Sequence, residues 1–188
     1  MKKILLNPFE KYNENQLFIF GIFATALSSY LAYVFDARLD GALDFHFTDG
    51  VTLKQPFIDS AIDIAFLSAT LYIAALFINK KARIIDILNI VLTARIIYCL
   101  LPLLNIGGLI YNPETDYTKP FQMSTGEMAI QIVFAIIMLA FVVWLIALLY
   151  NGFKVATNLK TTTHKVIFAV ALLVAEILSK YIISILNY

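Results

Sequence analysis

Five long apolar runs dominate this sequence, and each is long enough to cross a lipid bilayer as a helix. Crossing about 30 Å of hydrocarbon takes about 20 residues at about 1.5 Å per residue. The runs are continuous rather than alternating, which excludes the strand pattern of a membrane barrel. The sequence therefore predicts an all-α polytopic membrane protein, a bundle of five transmembrane helices, with spans at about 17–35, 57–79, 84–104, 127–150 and 165–186.

The composition is typical of a chain embedded in a membrane. Hydrophobic residues make up 61% of the 188 residues. Charged residues make up only 14%, against about 25% in an ordinary soluble protein. A net charge of +1 gives no electrostatic footprint for nucleic acid. No linker, repeat or low-complexity tract divides the chain, so we expect one domain over 1–188.

The basic residues of the loops are distributed unevenly, and this asymmetry predicts the orientation of the chain. Nine lysines and arginines fall in the N-terminal segment and in the links after the second and fourth spans. Only three fall in the loops on the other side, at 36–56 and 105–126, which hold most of the loop acids. The positive-inside rule then places the N-terminus in the cytoplasm and the C-terminus outside.

Four ionisable side chains fall well inside the predicted spans, where a charge is costly and by default indicates function. Counted along each helix, Arg95 and Glu176 come to the same depth near the midplane, and Asp63 and Lys180 come to about 8–9 Å below the outer surface. We therefore expect two opposite-sign pairs that form one network between the second, third and fifth spans. Holding the helices together is its leading interpretation. A proton or ion path and a headgroup or partner-helix site are the alternatives.

Two further acids, Asp59 and Asp86, lie near span ends, where they can reach water. Asp86, Asn89 and Thr93 follow helical spacing and form a polar stripe on the third span. Because Arg95 points about 180° away from Asp86 by the helical period, polar groups lie on two sides of this helix. We therefore expect the third span to be central in the bundle. Pro102 should kink its outer end.

Small residues recur at four-residue spacing on two spans and allow close helix packing. We expect both stripes to make contacts within the bundle rather than a dimer face. They consist of Ala61, Ala65 and Ala69 on the second span and Ala171, Ala175 and Ser179 on the fifth.

The loop at 36–56 is the only place where the sequence offers ligands for a cation. His46 lies there with Asp44 and Asp49, but an acidic loop in water is the more ordinary interpretation, and we expect no metal or cofactor. The sequence has no Walker loop, HExxH or GxSxG motif. We therefore predict no catalytic residues and no enzymatic activity.

Two stretches of the chain are similar to a known family. They run from Asp86 to Asn105, DILNIVLTARIIYCLLPLLN, and from Trp144 to Lys165, WLIALLYNGFKVATNLKTTTHK, and the sequence NPFEKY at 7–12 precedes the first span. With the five spans and the short basic link after the second, these stretches resemble the Yip domain family, the Ypt/Rab-interacting membrane proteins. The resemblance implies a non-catalytic, prokaryotic-type protein of the cytoplasmic (inner) membrane. Eukaryotic members carry a tyrosine-glycine-proline element that this chain lacks, so the resemblance does not extend to GTPase binding.

We therefore expect a non-catalytic integral membrane protein that acts as a scaffold or accessory subunit for other membrane components. The expected partners are the lipid bilayer and either other membrane proteins or a second copy of the chain. A small ion- or proton-coupled transporter is the alternative, although five spans without a repeat do not match the usual inverted-repeat plan. A lipid-handling protein is the third interpretation, in which Arg95 and Lys180 hold a phosphate.

Overall fold

The structure, a computed structural model, describes residues 2–112 and 124–186. Within these ranges the chain forms six α-helices: α1 (Lys2–Leu6), α2 (Glu14–Val34), α3 (Lys54–Ile78), α4 (Ile84–Ala94), α5 (Thr125–Thr157) and α6 (Thr162–Leu186). Three 3-10 segments cover Pro8–Glu10, Arg95–Cys99 and Pro102–Gly108. Two short antiparallel strands, β1 (Ala37–Arg38) and β2 (His46–Phe47), pair in the first long loop.

Five segments of the described chain are long and apolar enough to cross a membrane, and the predicted five-helix architecture is confirmed. They are Glu14–Val34, Lys54–Ile78, Ile84–Gly108, Thr125–Thr157 and Thr162–Leu186. The third of these, which we call the third span, consists of α4 and the two 3-10 segments after it. The part of the second long loop that contains Lys119 lies outside the described residues.

Side-chain caps explain where two of the spans begin. The Asn13 side chain accepts from the backbone N–H of Gln16 at 2.9 Å, and Gln16 bonds back to the Asn13 N–H. Ser124 and Glu127 form the same reciprocal pair at the start of α5. Each pair satisfies two backbone donors that a helix start leaves open. At its other end α5 runs seven residues past the predicted end at 150, because the chain has no helix breaker there strong enough to stop it.

The third span leaves the α-helical conformation much earlier than predicted. We expected a kink at Pro102, but α4 ends at Ala94 and the chain continues in 3-10 turns. Pro102 has no N–H to donate to the carbonyl of Tyr98, and its ring clashes with that carbonyl. This accounts for the loss of α-helical bonds near Cys99, but not for the end of α4 at Ala94. The segment ends at Gly107 and Gly108, whose φ angles of 74° and 69° favour glycine.

The third span is the most buried of the five and lies between α2, α3 and α5, so its predicted central place is confirmed. Helix α6 packs mainly against α3. The small-residue stripe of α6 is buried, as expected, but the stripe at 61, 65 and 69 on α3 is exposed. The prediction for α3 was wrong because a different face of this helix turns inward, and its buried residues include Asp59, Ser60, Asp63, Leu67, Ser68, Leu71, Ala74 and Ala75.

The first long loop folds back onto the bundle instead of standing in water. We call residues 37–51 the loop cap. Its apolar side chains at Ala37, Leu39, Ala42 and Phe45 are buried in the core cluster. Phe47 packs against Phe134 of α5, with ring centroids 5.7 Å apart. The loop cap therefore closes one end of the bundle, which we call the loop end; the opposite end is the N-terminal end.

Candidate functional site

Arg95 and Asp63 form an ion pair inside the bundle. Both Nη1 and Nη2 of Arg95 lie 3.4 Å from Asp63 Oδ2, and the two side chains are at most 1% exposed. Arg95 Nη2 also donates to Ser60 Oγ at 3.1 Å, and the ring of Tyr98 lies 4.8 Å from the guanidinium carbon. Ser60 in turn bonds to Ser29 of α2 at 2.8 Å. These contacts join α2, α3 and the third span at one point.

The predicted partners within the charge network were wrong. Lys180 pairs with Asp44 of the loop cap rather than with Asp63. Glu176 does not pair with Arg95; its Oε2 accepts the backbone N–H of Leu43 at 2.7 Å. Matching depths along straight helices could not find these contacts, because the loop that supplies the partners was placed outside the bundle. Arg95 and Lys180 thus each have a separate carboxylate partner, Asp63 and Asp44.

The loop cap lies directly over the Arg95–Asp63 pair and is held there by polar contacts. Tyr98 Oη donates to the carbonyl of Ala42 at 2.9 Å, and the N–H of Ala42 donates to Ser179 Oγ at 3.1 Å. Gly41 approaches α6 so closely that a Cβ there would lie 2.8 Å from Glu176 Oε1. The cap thus seals the pair from the loop end of the bundle.

Asp59 is also buried, contrary to the prediction that it reaches water. Arg38 of β1 holds it by two parallel bonds, with Nε 2.6 Å from Oδ2 and Nη2 2.9 Å from Oδ1. This two-point contact between an arginine and a carboxylate is a strong, directional one. Because Arg38 belongs to the loop, its contact with Asp59 could not be predicted from the sequence alone.

Inside the loop cap, Asp40 and His46 form an ion pair with Nδ1 3.1 Å from Oδ1. The interaction with Asp40 raises the pKa of His46 above its usual 6.5. Burial by itself would raise the pKa of Asp40, but the bond and the charge of His46 outweigh it, and the pKa is lowered. The ligand atoms of Asp40, Asp44 and His46 lie within 4.8 Å of one another, and Asp49 is not among them. Lys180 also pairs with Asp44 of this group.

The polar stripe of the third span lies on one face, as predicted, at the other end of the bundle. Asp86 pairs with Arg83, which also bonds Glu14 at 2.7 Å. These two carboxylates raise the pKa of Arg83. Asn89 Nδ2 donates to the carbonyl of Glu14 at 3.3 Å. Thr93 Oγ1 and Asn89 Oδ1 are buried and have no hydrogen-bond partner within residues 2–112 and 124–186.

The stripe lines two adjoining cavities that the sequence did not predict. An apolar cavity of about 500 Å³ contains Thr93, and a polar pocket of about 290 Å³ contains Asp86 and Asn89. One wall is the N-terminal segment, which is anchored to α5: Trp144 Nε1 donates to the carbonyl of Leu5 at 2.9 Å, and Asn151 Nδ2 to that of Leu6 at 2.9 Å. The apolar start of the chain was the only available signal for this wall.

The structure therefore contains two separate candidate sites. The charge network, with Asp63, Arg95, Glu176 and Lys180, lies under the loop cap. The polar stripe opens into the cavities at the N-terminal end. Comparison of this chain with family models, with curated proteins and with solved structures found no match.

Proposed function

We propose that this chain is a non-catalytic integral membrane protein that works by binding other membrane components, as a scaffold or accessory subunit. The supporting observation is the sealed state of the Arg95–Asp63 pair. Both side chains are at most 1% exposed, and the loop cap covers them. A charge pair enclosed in this way holds helices together and leaves no open path along it. The function then falls to the surfaces that the bundle presents to lipid and to other proteins.

Native mass spectrometry of the protein, extracted together with its surrounding lipids, tests this proposal. We expect a stable complex with another membrane protein or with a second copy of the chain, at a fixed stoichiometry. The same complex should form with Asp49→Asn, a change at an exposed position that is neither in the charge network nor in the lining of the cavities. A chain that appears only as a monomer without any protein partner would contradict the proposal.

We also propose that this chain is a relative of the Yip domain family, that it lies in the inner membrane, and that its N-terminus is cytoplasmic. The contacts of Arg83 with Glu14 and of Asn151 with Leu6 bring the basic segments toward one end of the bundle, which supports the charge argument. In a Cys99→Ala background, Lys54→Cys should react with an impermeant thiol reagent in intact cells. Lys81→Cys should react only after permeabilisation. The reverse pattern would overturn the orientation.

A small proton- or ion-coupled transporter is the second candidate, and one observation favours it. Glu176 is a partly buried carboxylate whose hydrogen bond comes from a backbone N–H, and within residues 2–112 and 124–186 it forms no ion pair. A carboxylate without a cationic partner can exchange a proton more readily than a paired one. In proteoliposomes, Glu176→Gln should then abolish a proton flux while the fold persists. Loss of the fold instead would favour the structural role.

A further inference from the structure

The two cavities at the N-terminal end adjoin each other and differ in chemistry. The apolar cavity of about 500 Å³ lies within the range of about 300–1,000 Å³ that is common for small-molecule sites. Its walls include Phe20, Ile96 and Leu148. The polar pocket is lined by Glu14, Arg83, Asp86 and Asn89. Tyr12 and Leu17 line both cavities, so together they form one compartment with an apolar part and a polar part.

Two buried polar atoms in this compartment need a partner that the described chain does not provide. Thr93 is 2% exposed and Asn89 is 3% exposed, and neither Thr93 Oγ1 nor Asn89 Oδ1 has a hydrogen-bond partner. Leaving such groups unsatisfied is costly and rare in folded proteins. The amide oxygen of Asn89 can only accept, so whatever satisfies it must be a hydrogen-bond donor. The hydroxyl of Thr93 can donate to a carbonyl oxygen.

The charges around the polar pocket select the kind of donor. Glu14 and Asp86 carry two negative charges against the one positive charge of Arg83, which leaves an excess of one negative charge. At the margin of the compartment, Lys11 Nζ lies 5.2 Å from the centre of the Tyr12 ring. An occupant with a cationic donor near the carboxylates and an anionic group near Lys11 would therefore complement both sides.

We propose that this compartment binds one phospholipid with a primary-amine headgroup, such as phosphatidylethanolamine. An acyl chain fills the apolar cavity, and the ammonium group donates to Asn89 Oδ1 beside Glu14 and Asp86. The phosphate faces Lys11, and the Thr93 hydroxyl donates to an ester carbonyl. Thr93 follows Asp86 by seven residues, about 10 Å along the helix, so the headgroup and ester contacts are separated along one face. This goes beyond the proposed function, because it needs no protein partner.

The wild-type protein allows a direct test, because Trp144 is the only tryptophan of the chain and lines the apolar cavity. The protein is reconstituted in bilayers of phosphatidylethanolamine and phosphatidylglycerol, and only one of the two lipids carries brominated acyl chains, which quench tryptophan fluorescence. At equal mole fractions, we expect brominated phosphatidylethanolamine to quench Trp144 fluorescence about threefold more strongly than brominated phosphatidylglycerol. This ratio corresponds to a binding preference of less than about tenfold. Equal quenching by both lipids, or stronger quenching by phosphatidylglycerol, would overturn the proposal.

Two variants locate the effect within the compartment. Thr93→Val keeps the shape of the side chain and removes the hydroxyl, and should weaken binding of the amine lipid about fivefold, as expected for one lost hydrogen bond. Its matched control is Thr70→Val on α3, since Thr70 Oγ1 already bonds the carbonyl of Phe66 at 2.9 Å. Asp86→Asn should reduce the preference for the amine lipid, and Asp49→Asn, at an exposed position of the first long loop that lines neither cavity, is its control. If Thr93→Val and Asp86→Asn bind the lipid as their controls do, the site is not the one proposed.

Native mass spectrometry distinguishes the amine lipid from other occupants. After partial delipidation, the wild type should retain one phosphatidylethanolamine per chain, and this adduct should diminish in Thr93→Val. Retention of phosphatidylglycerol at the same level would show that the pocket does not select the amine. A second copy of the chain in place of the lipid would also contradict the proposal, and this outcome appears as a dimer without a lipid adduct.

Discussion

Arg95 of the third span and Asp63 of α3 face each other at a point where neither side chain is more than 1% exposed. Two of the guanidinium nitrogens lie 3.4 Å from one carboxylate oxygen, while Nε of Arg95 and Oδ1 of Asp63 have no hydrogen-bond partner in the part of the chain that the structure describes. The pair is therefore enclosed but not fully satisfied. Its main effect is that each charge makes the other tolerable in an apolar surrounding.

Removing one member of this pair should cost more than removing both. Asp63→Leu or Arg95→Met alone leaves an uncompensated buried charge, which we expect to lower the free energy of unfolding by about 3–5 kcal/mol. The double variant Asp63→Leu/Arg95→Met removes both charges and should recover most of that loss. Thermal unfolding of helical circular dichroism, in one detergent for all four proteins, measures the difference. Additive losses in the double variant would show that the two charges do not depend on each other.

The close approach of Gly41 to α6 gives a prediction about the loop cap. In Gly41→Ala the new Cβ would lie 2.8 Å from Glu176 Oε1 and 2.9 Å from Lys180 Cγ, so we expect the cap to move away from α6. Overpacking of this kind costs about 1–3 kcal/mol. Hydrogen exchange of the backbone N–H groups of Ala42 and Leu43 should accelerate accordingly.

The control for this change is Gly126→Ala, where the nearest atom to a new Cβ is 3.9 Å away. Exchange at Ala42 and Leu43 should be the same in this variant as in the wild type. If Gly41→Ala also leaves the exchange unchanged, the contact between the cap and α6 is looser than the structure has it.

The bond between Asp40 and His46 predicts how the loop cap responds to pH. Because the folded state raises the pKa of His46, its stabilising effect is complete below the usual value of 6.5 and is lost as the pH rises through the raised pKa. The pKa of Asp40 is lowered, so its contribution is present above the usual 3.8 and is lost as the pH falls through the lowered value. Protection of the cap against hydrogen exchange should therefore be greatest between these limits.

The measurement is hydrogen exchange of the backbone N–H groups, corrected for intrinsic exchange, from about pH 5 to about pH 9. The quantity to follow is the ratio of the exchange rates of residues 37–47 to those of α4. This ratio should rise in the wild type as the pH increases above 6.5, and stay flat in His46→Gln. Because the His46 side chain is 46% exposed, solvent screens the pair and the change should be small. A ratio that is flat in both proteins would show that this bond does not hold the cap.

The spans and their central helix could be predicted from the sequence because they follow from length, hydropathy and helical period. The partners of the buried charges could not. Lys180 and Glu176 find theirs in the loop cap, at Asp44 and the N–H of Leu43. A loop of two-residue strands leaves no periodic pattern in the sequence, and its position over the bundle depends on contacts that are distant along the chain.

The two small-residue stripes show the same limit for helix packing. Ala175 and Ser179 of α6 are buried, whereas Ala61 and Ala65 of α3 are exposed, although both pairs have the same four-residue spacing. The spacing permits close contact but does not decide which face turns inward. On α3 the buried face carries Asp63, and burying a charge beside Arg95 outweighs the smaller gain from packing alanines.

The crossing of α2 with the third span gives the final prediction. A Cβ at Gly21 would lie 2.5 Å from Leu92 Cβ and 2.9 Å from the backbone carbon of Leu92. Because the backbone cannot rotate away as a side chain can, Gly21→Ala should force the two helices apart and lower the free energy of unfolding by about 1–3 kcal/mol. Thr93, whose nitrogen would lie 3.1 Å from the same Cβ, would move with this wall of the apolar cavity. We therefore expect both a lower unfolding temperature and altered Trp144 fluorescence, with Gly126→Ala as the unaffected control. Wild-type stability in Gly21→Ala would show that α2 and the third span are further apart than the structure places them.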